Sequence, residues 1–238
     1  MSESVRSLPE DRLLQPTTAK WFGVIFGIAL CYAIVRYHFV KDVPWSHFPL
    51  FILNKATSMA AVGFVASAYL IGKLFRWHDH DPVLRLVVVK FCGLAGFSLA
   101  AIHALFSLAL LRSSYYPAFF GADGQLSFVG ELGLAVGVVA LWALAMPAIT
   151  TLPMMPKALG GFRWKRNQRM GYIALSLVVV HLTVFGLKGW LDPASWSGMP
   201  PVSLVAVLVA LVPLLTKLSR ISGKRSKRAQ RTTEETPD

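Results

Sequence analysis

Six long apolar runs, separated by short polar segments, dominate the pattern of hydrophobic and polar positions in this 238-residue chain. A helix that crosses a bilayer needs about 20 consecutive, mostly apolar residues. The runs therefore predict an all-α membrane protein, a six-transmembrane-helix bundle. The predicted spans are residues 21–40, 56–72, 91–111, 128–152, 171–187 and 202–216, with the third beginning near residue 86 and the fifth near residue 167.

Composition supports a membrane protein and excludes several other classes. Hydrophobic residues make up 55% of the chain and charged residues 15%, which is too apolar for a disordered protein. Two cysteines are too few for a disulfide-rich secreted scaffold. The net charge of +12 could suggest nucleic-acid binding, but the basic residues lie between apolar runs, so we expect no nucleic-acid partner. The first twenty residues are polar and no cleavage pattern follows the first run, which predicts a span there and no signal peptide.

The distribution of basic residues predicts an orientation. Nineteen of the 24 Lys and Arg residues fall in the two terminal segments and in the second and fourth connections. By the positive-inside rule these segments are cytoplasmic, so both termini are cytoplasmic. We expect a plasma membrane, which in a bacterium is the inner membrane. The predicted layout is a cytoplasmic segment 1–20, a transmembrane domain 21–216 and a basic, disordered tail 217–238 that either only anchors the topology or also contacts anionic lipid headgroups.

Two of the six histidines lie inside predicted spans, where ionisable groups are costly and usually functional. His103 lies about 18 Å along the third helix and His181 about 15 Å along the fifth, at a rise of roughly 1.5 Å per residue. Both helices run in the same direction, so the two imidazoles reach a similar depth. This matches a single bis-histidine heme between facing helices. The alternative for each histidine is a structural hydrogen bond.

Small residues accompany both histidines at helical spacing. Ala100, Gly96 and Gly93 precede His103, and Ala174 and Gly171 precede His181. They would admit a flat cofactor, although close helix packing explains such residues equally well. Other polar residues are weaker candidates: the run from His78 to Asp81 for a divalent metal, and five residues for the outer mouth, which are Arg36, Arg112, Tyr115, Tyr116 and Lys188.

Three stretches within residues 90–191 resemble the membrane domain of the six-transmembrane STEAP metalloreductases, of the ferric reductase-like transmembrane group. The first is KFCGLAGFSLAAIHALFSLALLRSSYY, in which His103 is followed by alanine and an aromatic-rich end. The second is GELGLAVGVVALWALAMPAITTLP, rich in glycine. The third is FRWKRNQRMGYIALSLVVVHLTVFGLKGWLDP, with Gln168, Gly171-Tyr172 and His181. The first two spans match only in number and placement.

The resemblance implies one heme b with axial ligands matching His103 and His181, which would be the metal site. It implies a flavin, FAD or FMN, on the cytoplasmic side, and electron flow outward to ferric or cupric ions. It also hints at a homotrimer. In the family, the loops after the second and fourth spans hold the flavin. The candidate flavin contacts here are Arg76, Trp77, Trp164, Lys165, Arg166 and Gln168, because cations suit phosphate and an indole stacks on a flat ring.

The chain departs from the family pattern in two places. The Trp-Arg-Glu-Phe stretch before the fifth span is shortened and lacks the glutamate. No G-x-G-x-x-G motif on a strand-to-helix turn is present, so we expect the electron donor to be a separate cytoplasmic flavin or NAD(P)H reductase, or a membrane donor. The function predicted is transmembrane electron transfer through heme b to an outer-face acceptor such as ferric iron, the work of an oxidoreductase component. The alternatives are a heme subunit that feeds another redox enzyme, a quinone-linked cytochrome b, and a non-redox transporter or assembly protein.

Overall fold

The computed structural model describes residues 16–74, 82–152 and 154–234. Seven α-helices account for most of this part of the chain. They are α1 (Pro16–Ile34), α2 (Leu53–Leu74), α3 (Pro82–Ala109), α4 (Phe128–Ile149), α5 (Met155–Gln168), α6 (Met170–Trp190) and α7 (Val202–Glu234). The β-type pairing among the described residues is an isolated bridge between Phe120 and Leu126, in the loop before α4.

Six segments of the described chain are long and apolar enough to cross a membrane. They contain all or part of α1, α2, α3, α4, α6 and α7, one for each predicted apolar run. Helix α1 continues through a π-helical stretch, Val35–Val40, and a similar stretch, Phe48–Ile52, leads into α2. The predicted fold class, an all-helical membrane protein with six spans, is therefore confirmed.

Two segments are more helical than the sequence analysis expected. The fourth connection contains α5, which has a proline in its first turn and a kink at Gly160, where φ is 67°. Helix α7 continues through Glu234, so its backbone is helical over most of the stretch expected to be disordered. The physical reason is that a helix already formed in the membrane bears the nucleation cost, and Lys, Arg, Ala and Gln then extend it readily.

Helix α2 is central to the bundle and packs against α1, α3 and α7. Helix α4 packs mainly on α6, and α6 on α7. Alanines form much of the buried surface of α2, at Ala56, Ala60, Ala61 and Ala66. Small side chains let helix backbones approach closely, which is the usual basis of helix association in membranes. Between the α2–α3 pair and the α4–α6 pair a space remains, and this space holds the candidate site.

Candidate functional site: a cavity between two histidines

The cavity has a volume of about 350 Å³ and is lined from α2, α3, α4 and α6, with α7 on one side. This volume lies within the range of roughly 300–1,000 Å³ that small-molecule and cofactor sites occupy. The lining is mostly apolar, with few polar side chains. His103 of α3 and His181 of α6 both line it, so the structure brings the two predicted residues to one cavity.

The ring of His103 is held by Asn54, near the start of α2. Nδ1 of His103 lies 2.6 Å from the side-chain oxygen of Asn54 and 3.3 Å from its main-chain oxygen. A main-chain carbonyl only accepts hydrogen bonds, so Nδ1 carries the proton. Ser107, one turn after His103, donates its hydroxyl to the same Asn54 side-chain oxygen at 3.2 Å. The imidazole is therefore fixed in both tautomer and orientation.

The ring of His181 is held by the backbone of α4. Its Nδ1 lies 2.8 Å from the carbonyl oxygen of Gly133, which again requires the proton on Nδ1. Phe185, one turn along α6, meets the ring edge to face at a centroid distance of 5.0 Å. Both histidines thus have the same tautomer. The acceptors for His103 are the side-chain and main-chain oxygens of Asn54, and the acceptor for His181 is a main-chain carbonyl.

Nε2 of each neutral ring is left with a free lone pair. Within the described part of the chain, no hydrogen bond engages Nε2 of either histidine. Metal-bound histidines usually donate their other ring N–H to a carbonyl or carboxylate, which fixes the tautomer and raises ligand basicity. Two such imidazoles on one apolar cavity are the donor set of a bis-histidine heme, so the residues present fit that group.

Glycines on α4 make room for the α6 side chains. A Cβ added to Gly137 would lie 2.8 Å from Cε1 and Nδ1 of His181, and one added to Gly133 would overlap the Phe185 ring. Gly133 and Gly137 are one turn apart, matching the spacing of His181 and Phe185. A side chain at either position would displace the ring beside it. Helix α4 therefore contributes both the hydrogen-bond acceptor and the space for His181.

The small residues singled out in the sequence have divided roles. Ala100 and Ala174 line the cavity, as a cofactor pocket requires. A Cβ on Gly96 would instead meet Val65 of α2, and one on Gly171 would overlap the Tyr69 hydroxyl, which makes both of them helix-packing glycines. A Cβ on Gly93 would meet nothing within 4 Å.

One end of the cavity, at the start of α2, is polar. Lys55 and Tyr116 both line the cavity there, together with Tyr37. Nζ of Lys55 lies 4.8 Å from the Tyr116 ring centroid and 5.2 Å from that of Phe51. The Tyr116 hydroxyl accepts a hydrogen bond from the Asn54 side-chain amide at 3.2 Å. Asn54 therefore connects this polar end to His103.

The other residues considered for the outer mouth do not line the cavity. Arg36 is buried and donates to the carbonyl oxygens of Trp196 and Met199, so it fastens the loop before α7. Tyr115 packs against His47 at a ring-centroid distance of 5.2 Å. Arg112 and Lys188 are exposed. Of the five candidates, Tyr116 alone lines the cavity.

The candidate flavin contacts lie at the far end of the bundle, around the end of α4. Trp164 donates its indole N–H to the Thr150 carbonyl at 3.0 Å. The Gln168 amide lies 3.2 Å from the Pro147 carbonyl oxygen and 3.1 Å from the Thr150 hydroxyl. These two side chains cap α4.

The remaining candidates at this end have no such structural task, or fall outside the described residues. Lys165 and Arg166 are exposed on α5. Arg76 and Trp77, and the run from His78 to Asp81, lie outside the described residues, so the flavin and divalent-metal predictions for them stay predictions. Elsewhere, no group of three or more His, Cys, Asp or Glu side chains among the described residues is placed to hold a metal ion.

Sequence reasoning missed four residues of the site: Asn54, Lys55 and Gly137, which line the cavity, and Gly133, whose carbonyl holds His181. A signal existed for each of them. Asn54 and Lys55 are polar residues at the edge of an apolar run, and the two glycines are four residues apart in a span. The role of each of these residues depends on which neighbouring helix it faces, and a single sequence does not show how the helices face one another.

Comparison with known proteins supports the resemblance noted above. The chain is 25% identical to human Metalloreductase STEAP2 over 229 residues, covering 79% of this chain and 46% of that protein. The mouse Metalloreductase STEAP2 gives the same values. The rat Metalloreductase STEAP3 is 26% identical over 203 residues, covering 67% of this chain and 40% of that protein. No family model matches the chain.

These similarities establish homology to the STEAP metalloreductases. The chain spans a little under half the length of the curated relatives it matches. The similarity to these metalloreductases and the six candidate spans together identify the protein as an integral membrane protein.

Proposed function

We propose that this protein transfers electrons across the membrane through one heme b, held by His103 and His181, as part of a metalloreductase-type system. Electrons would enter at the cytoplasmic face from a flavin or a separate reductase, and leave on the outer face to an acceptor such as ferric iron. The observation that carries the proposal is the pair of Nδ1 hydrogen bonds to Asn54 and Gly133, which leaves both Nε2 atoms free in one cavity. Homology to metalloreductases supports the class of the reaction.

The residues of the chain would each have a defined task. Nε2 of His103 and Nε2 of His181 would bind the iron, which supplies reversible one-electron transfer when heme is bound. Asn54 and the Gly133 carbonyl orient the imidazoles and raise their basicity. The apolar lining from α2, α3, α4 and α6 excludes water and keeps the dielectric low, which together with the ligands sets the reduction potential.

The donor side of the proposal rests on the α5 surface. Lys165 and Arg166 are exposed there and carry the positive charge that attracts phosphate groups of a flavin or an acidic reductase surface. Trp164 and Gln168 would act indirectly, because their hydrogen-bond donors already cap α4. Their part is to hold α5 against the end of the bundle.

The test is the absorption spectrum of the purified protein, oxidised and reduced, with heme measured per chain. We expect a low-spin b-type spectrum with about one heme per chain in the wild type. The variants His103→Ala and His181→Ala should each lose the heme or convert it to high spin, because each removes one of the two axial nitrogens.

The matched control is His47→Ala. His47 packs on Tyr115 and does not line the cavity, so this variant should keep the wild-type spectrum. A wild type that binds no heme when expressed with heme supplied would overturn the proposal and leave a non-redox membrane protein of the same architecture. Heme retained with a low-spin spectrum in both cavity variants would overturn the ligand assignment.

A further inference from the structure

Two side chains in the wall of the cavity, Leu108 of α3 and Val138 of α4, also belong to the outer surface of the bundle. Both line the cavity, yet Leu108 is 62% exposed and Val138 is 56% exposed. Among the described residues that line the cavity, these are the two that are exposed. A side chain that borders both a cavity and the outer surface marks the rim of an opening. Leu108 and Val138 therefore form the rim of an opening between α3 and α4.

The cavity is closed on the side opposite this opening and at the end near the start of α2. Helix α7 packs on both α2 and α6, and its residues Val202 and Ala206 line the cavity and are buried. At the end near the start of α2, the ring of Phe119 packs between two other aromatic rings. Its centroid lies 5.4 Å from that of Tyr116 and 4.3 Å from that of Phe185.

The end of the cavity toward α5 is closed as well. Leu144 and Leu175 line the cavity there and are buried. Beyond them, Tyr69 donates its hydroxyl to the main-chain oxygen of Gln168 at 2.7 Å, and its ring centroid lies 4.4 Å from that of Tyr172. The gap between α3 and α4 is therefore the way into the cavity that the described residues leave open.

The opening faces the bilayer and leads to both histidines. Helices α3 and α4 both lie in candidate spans, so the surface around the rim is in contact with lipid. On α3, Leu108 follows His103 by five residues. On α4, Val138 follows Gly137, whose Cα approaches the ring of His181 so closely that an added Cβ would lie 2.8 Å from it.

We propose that heme enters and leaves this cavity sideways from the bilayer, through the opening between α3 and α4 whose rim is Leu108 and Val138. The inference rests on the proposed function, because it takes the cavity as a heme site. Heme is a flat and largely apolar molecule, so it partitions from water into lipid, and an apolar rim at membrane depth suits its passage. The bilayer is then the source of the cofactor, and the rim controls how fast it exchanges.

The experiment measures heme exchange in both directions for the full-length protein in lipid vesicles. Heme-free protein, expressed under heme limitation, receives heme from donor vesicles, and heme-loaded protein loses heme to acceptor vesicles backed by excess apomyoglobin. The test variants are Leu108→Trp and Val138→Trp, which enlarge the rim. The matched controls are Leu105→Trp on α3 and Val139→Trp on α4. These two residues are 67% and 54% exposed, as the rim residues are, but they do not line the cavity.

We expect each rim variant to take up and to lose heme about tenfold more slowly than the wild type, because a bulkier rim raises the barrier to passage in both directions. The final heme content per chain and the low-spin spectrum should equal those of the wild type, because the axial ligands are unchanged. The two controls should exchange heme at the wild-type rate. Leu108→Ala, which trims the rim, should exchange faster in both directions.

Wild-type exchange rates in both rim tryptophan variants and in Leu108→Ala would overturn the inference and leave the heme assignment intact. So would an equal slowing in the rim variants and the controls, since that is a general effect of tryptophan on the lipid-facing surface. If a tryptophan variant does not fold, Leu108→Ala and its control Leu105→Ala carry the test with the opposite sign.

A wild type that takes up no heme would overturn the proposed function, and the opening is then tested without heme. Ala104 lines the cavity one turn before Leu108. In a Cys31→Ser background, Ala104→Cys should react with a lipid-soluble maleimide, and adding Leu108→Trp should slow that reaction several-fold while adding Leu105→Trp should not. Equal reaction rates with and without Leu108→Trp would overturn the opening itself.

Discussion

At the scale of single residues, the tautomer of two imidazoles decides what the cavity can bind. His103 and His181 donate from Nδ1 to oxygen acceptors, and their Nε2 atoms keep their lone pairs. Had the protons been on Nε2, the same two side chains could not ligate a metal from the cavity side. Asn54 is the acceptor that a substitution can remove, so it gives the most direct test of this arrangement.

We expect Asn54→Leu to weaken heme binding by roughly 10- to 100-fold, the usual effect of removing a hydrogen-bond partner of a metal-bound histidine. Leucine has a similar volume but accepts no hydrogen bond, so the His103 ring loses its side-chain anchor. The measurement is a heme titration of the purified protein, followed by absorbance. The control is Thr57→Val, because among the described residues the Thr57 hydroxyl bonds only carbonyl oxygens of its own helix. Equal affinity in Asn54→Leu and the wild type would contradict the assigned role.

How much of the site the sequence could predict follows from these residues. His103 and His181 stand out because ionisable groups are rare in apolar spans and because depth can be counted along a helix. Asn54 could not be paired with His103 from the sequence, since the two lie on different helices and their contact depends on how α2 rotates against α3. Cross-helix partners of this kind require coordinates.

At the scale of the element, α4 is a spacer as well as a membrane span. Gly133 and Gly137 face α6 and leave room for Phe185 and His181. The glycine-rich character of this span was visible in the sequence, but glycines serve both helix packing and cofactor sites. The structure separates the two uses, because these glycines face aromatic rings and Gly96 faces the backbone of α2.

We expect Gly137→Val to reduce heme content or change the spin state, because even the Cβ would lie 2.8 Å from the His181 ring and must move it. The measurements are the reduced-minus-oxidised absorption spectrum and the heme content per chain. They are made on equal amounts of protein that size-exclusion chromatography shows to be folded. Gly93→Val is the matched control on α3, where a Cβ meets nothing within 4 Å. An unchanged low-spin spectrum in Gly137→Val would show that α4 does not position His181.

Prediction of the elements succeeded where hydrophobicity alone decides the structure. The six spans follow from apolar length, which the bilayer imposes directly. Helix α5 and the long extension of α7 are polar, so no membrane-length signal marked them. Their helical state reflects intrinsic propensity and contacts such as that of Trp164 with Thr150, which the apolar pattern does not encode.

At the scale of the whole molecule, charge asymmetry predicts which end faces the cytoplasm. The basic segments predicted to be cytoplasmic include the connection that contains α5, and the turn around Gly124 lies in the loop between α3 and α4. We expect Asp123→Cys to react with a membrane-impermeant maleimide in intact cells, and Ser219→Cys to react only after permeabilisation. Both residues are exposed.

The labelling uses a Cys31→Ser background, because Cys31 is exposed while Cys92 is buried. The background protein without an added cysteine is the control and should stay unlabelled in both conditions. The reverse pattern, with Ser219→Cys labelled in intact cells, would invert the orientation and with it the direction of electron flow in the proposed function.

The two histidines differ in what holds them, and this difference limits how the protein can vary. A change of residue type at position 54 replaces or deletes the side-chain acceptor for His103, whereas the carbonyl that holds His181 belongs to the main chain and persists whatever residue occupies position 133. The acceptor that holds His103 can therefore be removed by point mutation, whereas the acceptor that holds His181 cannot, although a side chain at position 133 or 137 would still displace the ring beside it. A library aimed at retuning the reduction potential without losing the cofactor should be built on α2, at position 54, and should leave α4 untouched.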